Sequence, residues 1–368
     1  GSYDYAMKSR GKKGGAILGT IPLLGSLGIA IGYAIIVGWV LRSAFGALTG
    51  SLMSTEPEQF FTEMSSTNFS SVPWHTLVIL LTAAVLIFGV SGGIEKINKV
   101  MMPAFFILFI IIAVRVAFLP NAIEGYKYLL VPQWEYLFNP RTWIMAMGQA
   151  FFSLSLGMGC LVTYASYFSD DTPLIKTAMQ ISVLDTLVAV MAGVIIFPAV
   201  FSFGMSPAEG PTLVFEVLPN IFHNMPGGSF WSFLFFVLLA LASLTSIISV
   251  SEIVVAFLCD CFSMTRVKAT CIVTGISLVT ATLCSLSFGP LAELNLFNIF
   301  DFLSSNVLLP LGGMGLCVFV GWRMKRSAYL EQMKRESGVP AFVFDYITTG
   351  IRYVAPACIL AVFIAGLL

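Results

Sequence analysis

The stretch "QAFFSLSLGMG", Gln149–Gly159, lies inside an apolar run over residues 141–168 that otherwise reads as membrane helix. Two glycines within three residues, Gly157 and Gly159, follow two serines spaced by one, Ser153 and Ser155. Glycine and serine so closely set favour an unwound link between two half-helices. A helix that stops in mid-membrane leaves backbone groups unpaired, which is tolerated only where neighbouring protein, water or a bound solute satisfies them. The carbonyls so freed suit a cation, and the N-terminus of the second half suits an anion. A simply kinked helix is the competing reading of the same residues.

The surrounding composition makes the membrane the relevant solvent. Of 368 residues, 58% are hydrophobic and only 10% charged, against about 25% charged in a soluble domain. Nineteen basic residues balance nineteen acidic ones, so nothing in the charge points to nucleic acid as a partner. Seven cysteines are scattered through apolar segments and form no disulfide framework. Cys259 and Cys261 flank Asp260 without further companions, and His75 and His223 stand alone near segment ends. There is no metal-ligand cluster, no nucleophile–base pairing and no phosphate loop, so an enzyme is not expected.

A membrane-spanning helix needs about 20 apolar residues. Nine segments qualify, over residues 16–49, 76–92, 99–118, 141–168, 174–204, 229–258, 268–287, 294–322 and 341–367. The sequence thus predicts an all-α, polytopic membrane protein with one transmembrane domain over residues 1–368. Loops alternate in charge. Placing Lys8, Arg10, Lys12, Lys13, Lys96, Lys99, Lys176, Arg266, Lys268, the basic cluster from Arg323 to Arg335, and Arg352 on the cytoplasmic side leaves only Arg42, Arg115, Lys127 and Arg141 outside. The positive-inside rule then puts residue 1 in the cytoplasm and residue 368 outside. Residues 205–228, rich in proline and glycine, become an external loop that suits a structured hairpin cap as well as a slack linker.

Three acidic residues, Asp185, Glu252 and Asp301, fall inside the spans with no basic residue at that depth. A carboxylate near a helix centre costs roughly 2.5–3.5 kcal/mol on insertion scales, so a cation or a proton is the simplest counter-charge. In "ALASLTSIISVSE", Ala242, Thr245, Ser246 and Ser249 recur on one helix face that Glu252 continues. Hard oxygen ligands suit a hard cation, although small hydroxyls also let helices pack closely. Gly25, Gly28 and Gly32 share a face of the first segment, with Ile29 and Tyr33 interleaved, and packing is the default reading there.

These residues resemble a known family. "GQAFFSLSLGMGCLVTYASY", "LASLTSIISVSEIVVAFLCD", "GYAIIVGWVL" and "IRYVAPA" are similar to the bacterial branch of the neurotransmitter:sodium symporters, sodium-coupled amino-acid transporters of the LeuT type. Discontinuous helices are a known hallmark of such transporters, so this rule and the resemblance are not independent. The resemblance implies a LeuT-type inverted-repeat helix bundle in which the nine segments stand for the third to eleventh of about eleven helices. The break falls in the family's sixth helix, and 205–228 falls on an extracellular hairpin. The polar start resembles the loop after the family's second helix, so the chain is expected to be part of a longer transporter and inactive alone.

Further implications follow residue by residue. Tyr33 matches the tyrosine that binds the substrate carboxylate, and Ile29 lines the same pocket. Phe152, Ser153, Ser155 and Met158 match pocket positions in the broken helix, Phe152 as an aromatic lid. Ser153 and Asp185 match the first sodium site. Ala242, through its carbonyl, Thr245 and Ser246 match the second, with Ser246 and Val250 bordering the pocket. Asp301 resembles the acidic half of the outer gate, and Asp260 and Tyr167 resemble parts of the inner one. Met158 stands where phenylalanine is common, giving a softer wall. Asp185 stands where asparagine is usual. Its carboxylate, near Gln149, supplies the negative charge that animal members take from chloride.

The function expected is therefore sodium-coupled symport, with two sodium sites, of a neutral, large hydrophobic or aromatic amino acid. It is expected in a bacterial inner membrane, by alternating access and without chloride. A sensor or regulatory membrane protein that binds an amino acid without cycling is the alternative.

Overall fold

The computed structural model describes residues 15–67, 69–89, 95–169, 172–204, 213–324 and 341–367. The basic residues Lys8 to Lys13, most of the cluster after Arg323, and residues 205–212 of the expected hairpin lie outside the described residues. Among the described residues every regular element is helical. The principal helices are α1 (Gly15–Thr49), α2 (Val72–Ile87), α3 (Glu95–Ala117), α4 (Pro140–Ser153), α5 (Cys160–Ala165), α6 (Leu174–Ser202), α7 (Gly228–Phe262), α8 (Arg266–Leu286), α9 (Ala292–Arg323) and α10 (Phe342–Leu367). Seven of them are long and apolar enough to cross a membrane, α2 is a shorter apolar helix, and α4 with α5 divides one further segment. They fall on the nine spans read from hydropathy.

The longest helices, α1 and α7, pack along each other more extensively than any other pair, and α2 and α8 close around them. Ile31, Ile35 and Val37 of α1 and Phe236 and Ile247 of α7 are buried in this core. Where α1 meets α2, glycine sets the distance, because a Cβ on Gly38 would lie 2.8 Å from the main-chain nitrogen of His75. The glycine face of α1 meets α9. Gly25 sits against Leu308, Gly28 against Ser304 and Gly32 against Phe297. The packing reading of that stripe holds, and its partners are the π-helical turn Phe302–Leu308, for Gly25 and Gly28, and the turn before it, for Gly32.

At one end of the bundle the Trp39 ring makes edge contacts with Phe61, Phe215 and Phe288 at 5.2–5.8 Å between centroids. Its indole N–H donates to Ser71 Oγ at 3.0 Å. This aromatic knot gathers the short helix Pro57–Ser66, the start of α2 and the π-turn Leu213–Val217. The described part of the 205–228 stretch is thus ordered helix, the π-turn running into Leu218–His223. His223 Nε2 lies 2.5 Å from the Met53 carbonyl oxygen.

Two glycine replacements separate close approach from helix propensity. Gly38→Ala forces a methyl into backbone that cannot yield and should cost about 1–3 kcal/mol. Gly275→Ala, in α8 with nothing within 4 Å of the new Cβ, should stabilise by roughly 0.5–1 kcal/mol. Thermal unfolding of the detergent-purified variants checks both signs.

Candidate functional site

The helix α4 begins on Asn139, whose side chain accepts from the Arg141 N–H at 3.0 Å, with Pro140 in its first turn. It ends at Ser153, and six residues of link precede α5. Ser155 (φ 54°), Gly157 (φ 85°) and Gly159 (φ 81°) are all left-handed, a region that glycine enters freely and serine at a cost. The kinked-helix reading is therefore excluded in favour of an unwound link. The N–H groups of Leu154, Ser155 and Leu156 turn back to Ala150, Phe152 and Phe151. Among the described residues no hydrogen bond reaches the carbonyls of Ser153, Leu154, Ser155 or Leu156. Ser26 Oγ of α1 lies 2.7 Å from the Met158 carbonyl, to which it can donate.

The link is held by backbone contact with α9. A Cβ on Gly157 would collide with the Leu309 carbonyl oxygen, and one on Gly312 would collide with the Gly157 carbonyl oxygen. The Phe151 ring covers Gly313. Around this contact lies an apolar cluster that includes Phe151, Met158, Val250, Ile253 and Leu309, with Ile29 packed against it. Three of the substrate positions implied by resemblance, Ile29, Met158 and Val250, thus belong to one apolar cluster. Of two others, Tyr33 is half-buried on α1 and Ser246 is exposed on α7. Phe152 is exposed and Ser155 half-buried. Ser153 donates to Asp185 Oδ2 at 2.8 Å, which joins the link to α6. Gln149 is exposed on α4. Asp301 is exposed on α9 and accepts a 3.3 Å bond from Ser305.

The polar face of α7 runs toward the other end of the bundle. Thr245 Oγ1 donates to the Ala242 carbonyl at 2.8 Å, and Ser249 Oγ donates to the Thr245 carbonyl at 3.0 Å. Tyr164 of α5 donates to Ser249 Oγ at 2.9 Å. One turn on, Glu252 is completely buried. It accepts from the Tyr167 hydroxyl at 2.7 Å and from both terminal nitrogens of Arg266, one at 3.0 Å. Arg266 Nε donates to the Leu86 carbonyl at 2.6 Å.

This corrects the expectation that Glu252 needs a cation or a proton. Its counter-charge is an arginine that the sequence reading assigned to a loop. Of the two inner-gate positions, Tyr167 meets Glu252 and Asp260 is exposed near the end of α7. Sequence reasoning passed over Tyr164 and Arg266. The usable signal for the first was a matched spacing, since Tyr164 and Tyr167 are three apart, as are Ser249 and Glu252. Removing one partner of a buried pair strands the other charge, so Arg266→Ala should cost about 3–5 kcal/mol. Glu252→Leu combined with Arg266→Met should recover much of that loss in a double-mutant cycle read by thermal unfolding.

Residues 58–368 match the sodium:neurotransmitter symporter family. The uncharacterized sodium-dependent transporter YhdH of Bacillus subtilis is 35% identical over 341 residues, 90% of this chain and 75% of its own length. An uncharacterized sodium-dependent transporter of Haemophilus influenzae is 33% identical over 369 residues, covering 95% and 79%. The crystal structure of MhsT in complex with L-phenylalanine superposes with a TM-score of 0.85 at 37% identity, over 95% of this chain and 81% of that one. With a family match across most of the chain and relatives above 30% identity, this chain belongs to the sodium:neurotransmitter symporter family, with the LeuT-type fold of a sodium-dependent membrane transporter rather than an enzyme.

Proposed function

We propose that the protein carries a neutral, large hydrophobic or aromatic amino acid together with sodium, without chloride, by alternating access. The observation that carries this reading is the unwound link whose Ser153 is bonded to Asp185. Hydroxyl, carboxylate and unpaired carbonyl oxygens there form the hard donor set that a sodium ion takes. A first sodium is assigned to Ser153 and Asp185. A second is assigned to the Ala242 carbonyl, Thr245 and Ser246, whose oxygens line one face of α7. The solute carboxylate is assigned to Tyr33. Its side chain lies against Ile29, Met158, Val250 and Phe152, with Ser155 and Ser246 at the polar margin. A thioether wall adapts to varied apolar shapes, and the phenylalanine bound by MhsT is of this class.

Coupling follows from shared neighbours. Ser153 and Ser246 belong to both an ion site and the solute pocket, so each occupant raises the affinity for the other. Closure then proceeds by rocking one group of helices against the rest. Asp301 is assigned to the outer closure, and Tyr167 and Asp260 to the inner one. The basic-loop asymmetry supports a bacterial inner membrane with residue 1 cytoplasmic and residue 368 outside.

The test is uptake of labelled phenylalanine into proteoliposomes that hold the full-length transporter. Replacing sodium by choline should reduce it to background, and uptake unchanged in choline overturns the reading. Replacing chloride by gluconate should leave it unaltered. Asp185→Asn should make uptake rise with chloride, because the fixed charge beside the first ion is gone. Indifference of that variant to chloride removes Asp185 from the role.

A further inference from the structure

We propose that Tyr164 is a positioning residue for the second sodium site, acting through Ser249. This rests on the assignment of Ala242, Thr245 and Ser246 to that site. The geometry is two linked bonds that end on the Thr245 main chain, with a third bond made separately by the side chain of the same residue. Tyr164 O–H donates to Ser249 Oγ at 2.9 Å, Ser249 donates to the Thr245 carbonyl at 3.0 Å, and Thr245 Oγ1 donates to the Ala242 carbonyl at 2.8 Å. A serine hydroxyl has one proton and two lone pairs. With a lone pair taken by Tyr164, Ser249 directs its single proton at Thr245, and each bond in such a chain polarises the next.

Two consequences concern the ion. Thr245 Oγ1 and the Ala242 carbonyl are both assigned as ligands, yet here one donates to the other. Sodium must turn the Thr245 hydroxyl so that its lone pair, not its proton, faces the ion. The helix ladder of α7 holds the backbone around Thr245 while that happens, and the Ser249 hydroxyl is a second donor to the same carbonyl, which adjusts the helix locally beside the ion. The second consequence is linkage. Tyr164 sits on α5, beyond the unwound link, whereas its chain of partners sits on α7. Docking α5 on α7 completes the relay, and parting them breaks it at the Tyr164 bond. Ion occupancy and α5 docking therefore favour each other. Tyr164 touches neither ion nor solute in this scheme.

The test is a sodium titration of the purified transporter, read both as sodium-dependent thermal stabilisation and as phenylalanine uptake. Tyr164→Phe and Ser249→Ala should each raise the half-saturating sodium concentration about fivefold or more. Maximal uptake at saturating sodium should stay within about twofold of the parent, since binding rather than turnover is altered. The double variant should be no worse than either single one, because both cut the same chain. Ser249→Thr keeps the hydroxyl and should titrate like the parent. Thr245→Val should lose the response to the second ion. If Tyr164→Phe and Ser249→Ala titrate like the parent while Thr245→Val does not, the relay is overturned and the sodium site stands. If Thr245→Val titrates like the parent, the site assignment fails and the relay with it. A Ser249→Thr variant as impaired as Ser249→Ala makes the position one of packing, which also overturns the relay.

Discussion

Every main-chain N–H and C=O held away from water needs a partner, and the rest of this structure follows from how that demand is met at the link after Ser153. An unbroken helix would satisfy it internally. Here left-handed residues at Ser155, Gly157 and Gly159 make continuation impossible, so satisfaction must come from elsewhere. Part comes from α1, where Ser26 lies against the Met158 carbonyl. Part is steric, since Gly157, Gly312 and Gly313 let two backbones approach more closely than any side chain allows. What is left over is a short run of carbonyls from Ser153 to Leu156, next in sequence to the one hydroxyl that bonds Asp185.

Two acidic residues within the spans show how burial divides structural from functional charge. Glu252 is fully enclosed and fully compensated by a guanidinium and a phenol. Isolated, it would cost several kcal/mol. Asp185 is only half-buried, bonds to a neutral hydroxyl and makes no ion pair among the described residues. A carboxylate so placed keeps lone pairs open to a cation or to water, whereas Glu252 is complete with what the protein already provides. Both read alike in sequence, as acids in apolar runs.

That difference marks the limit of legibility. The spans were readable because a lipid-crossing helix must be apolar for its whole length, and α1, α7 and α8 could hardly be mistaken. The break was readable because Gly157 and Gly159 are backbone signals that depend on no partner. The stripe Gly25, Gly28, Gly32 announced a close approach, but not that α9 with its π-turn would fill it. Partners across helices were hidden, since periodicity tells which residues share a face and not what the face meets. Arg266 illustrates the point. It lies beyond the end of α7 in sequence, yet Ser263 turns left-handed (φ 51°), the chain reverses, and a long side chain reaches back to Glu252.

The meeting of α5 and α7 ties these threads together. Tyr164 and Tyr167 meet Ser249 and Glu252 as two rungs of equal sequence separation. Tyr164 lies in α5 and Tyr167 in the turn just past its end, so the two rungs fasten both the helix and the turn that follows it. One rung ends on the backbone of Thr245, and the other ends on the buried charge pair. A short helix set free by the link is thereby fastened at two points of unlike chemistry. A hydroxyl chain responds to what binds near Thr245, and an ion pair resists separation until water reaches it. Because α5 is only six residues long, these two rungs add to a small apolar contact, in which Cys160 packs with Val250 and Ile253 of α7.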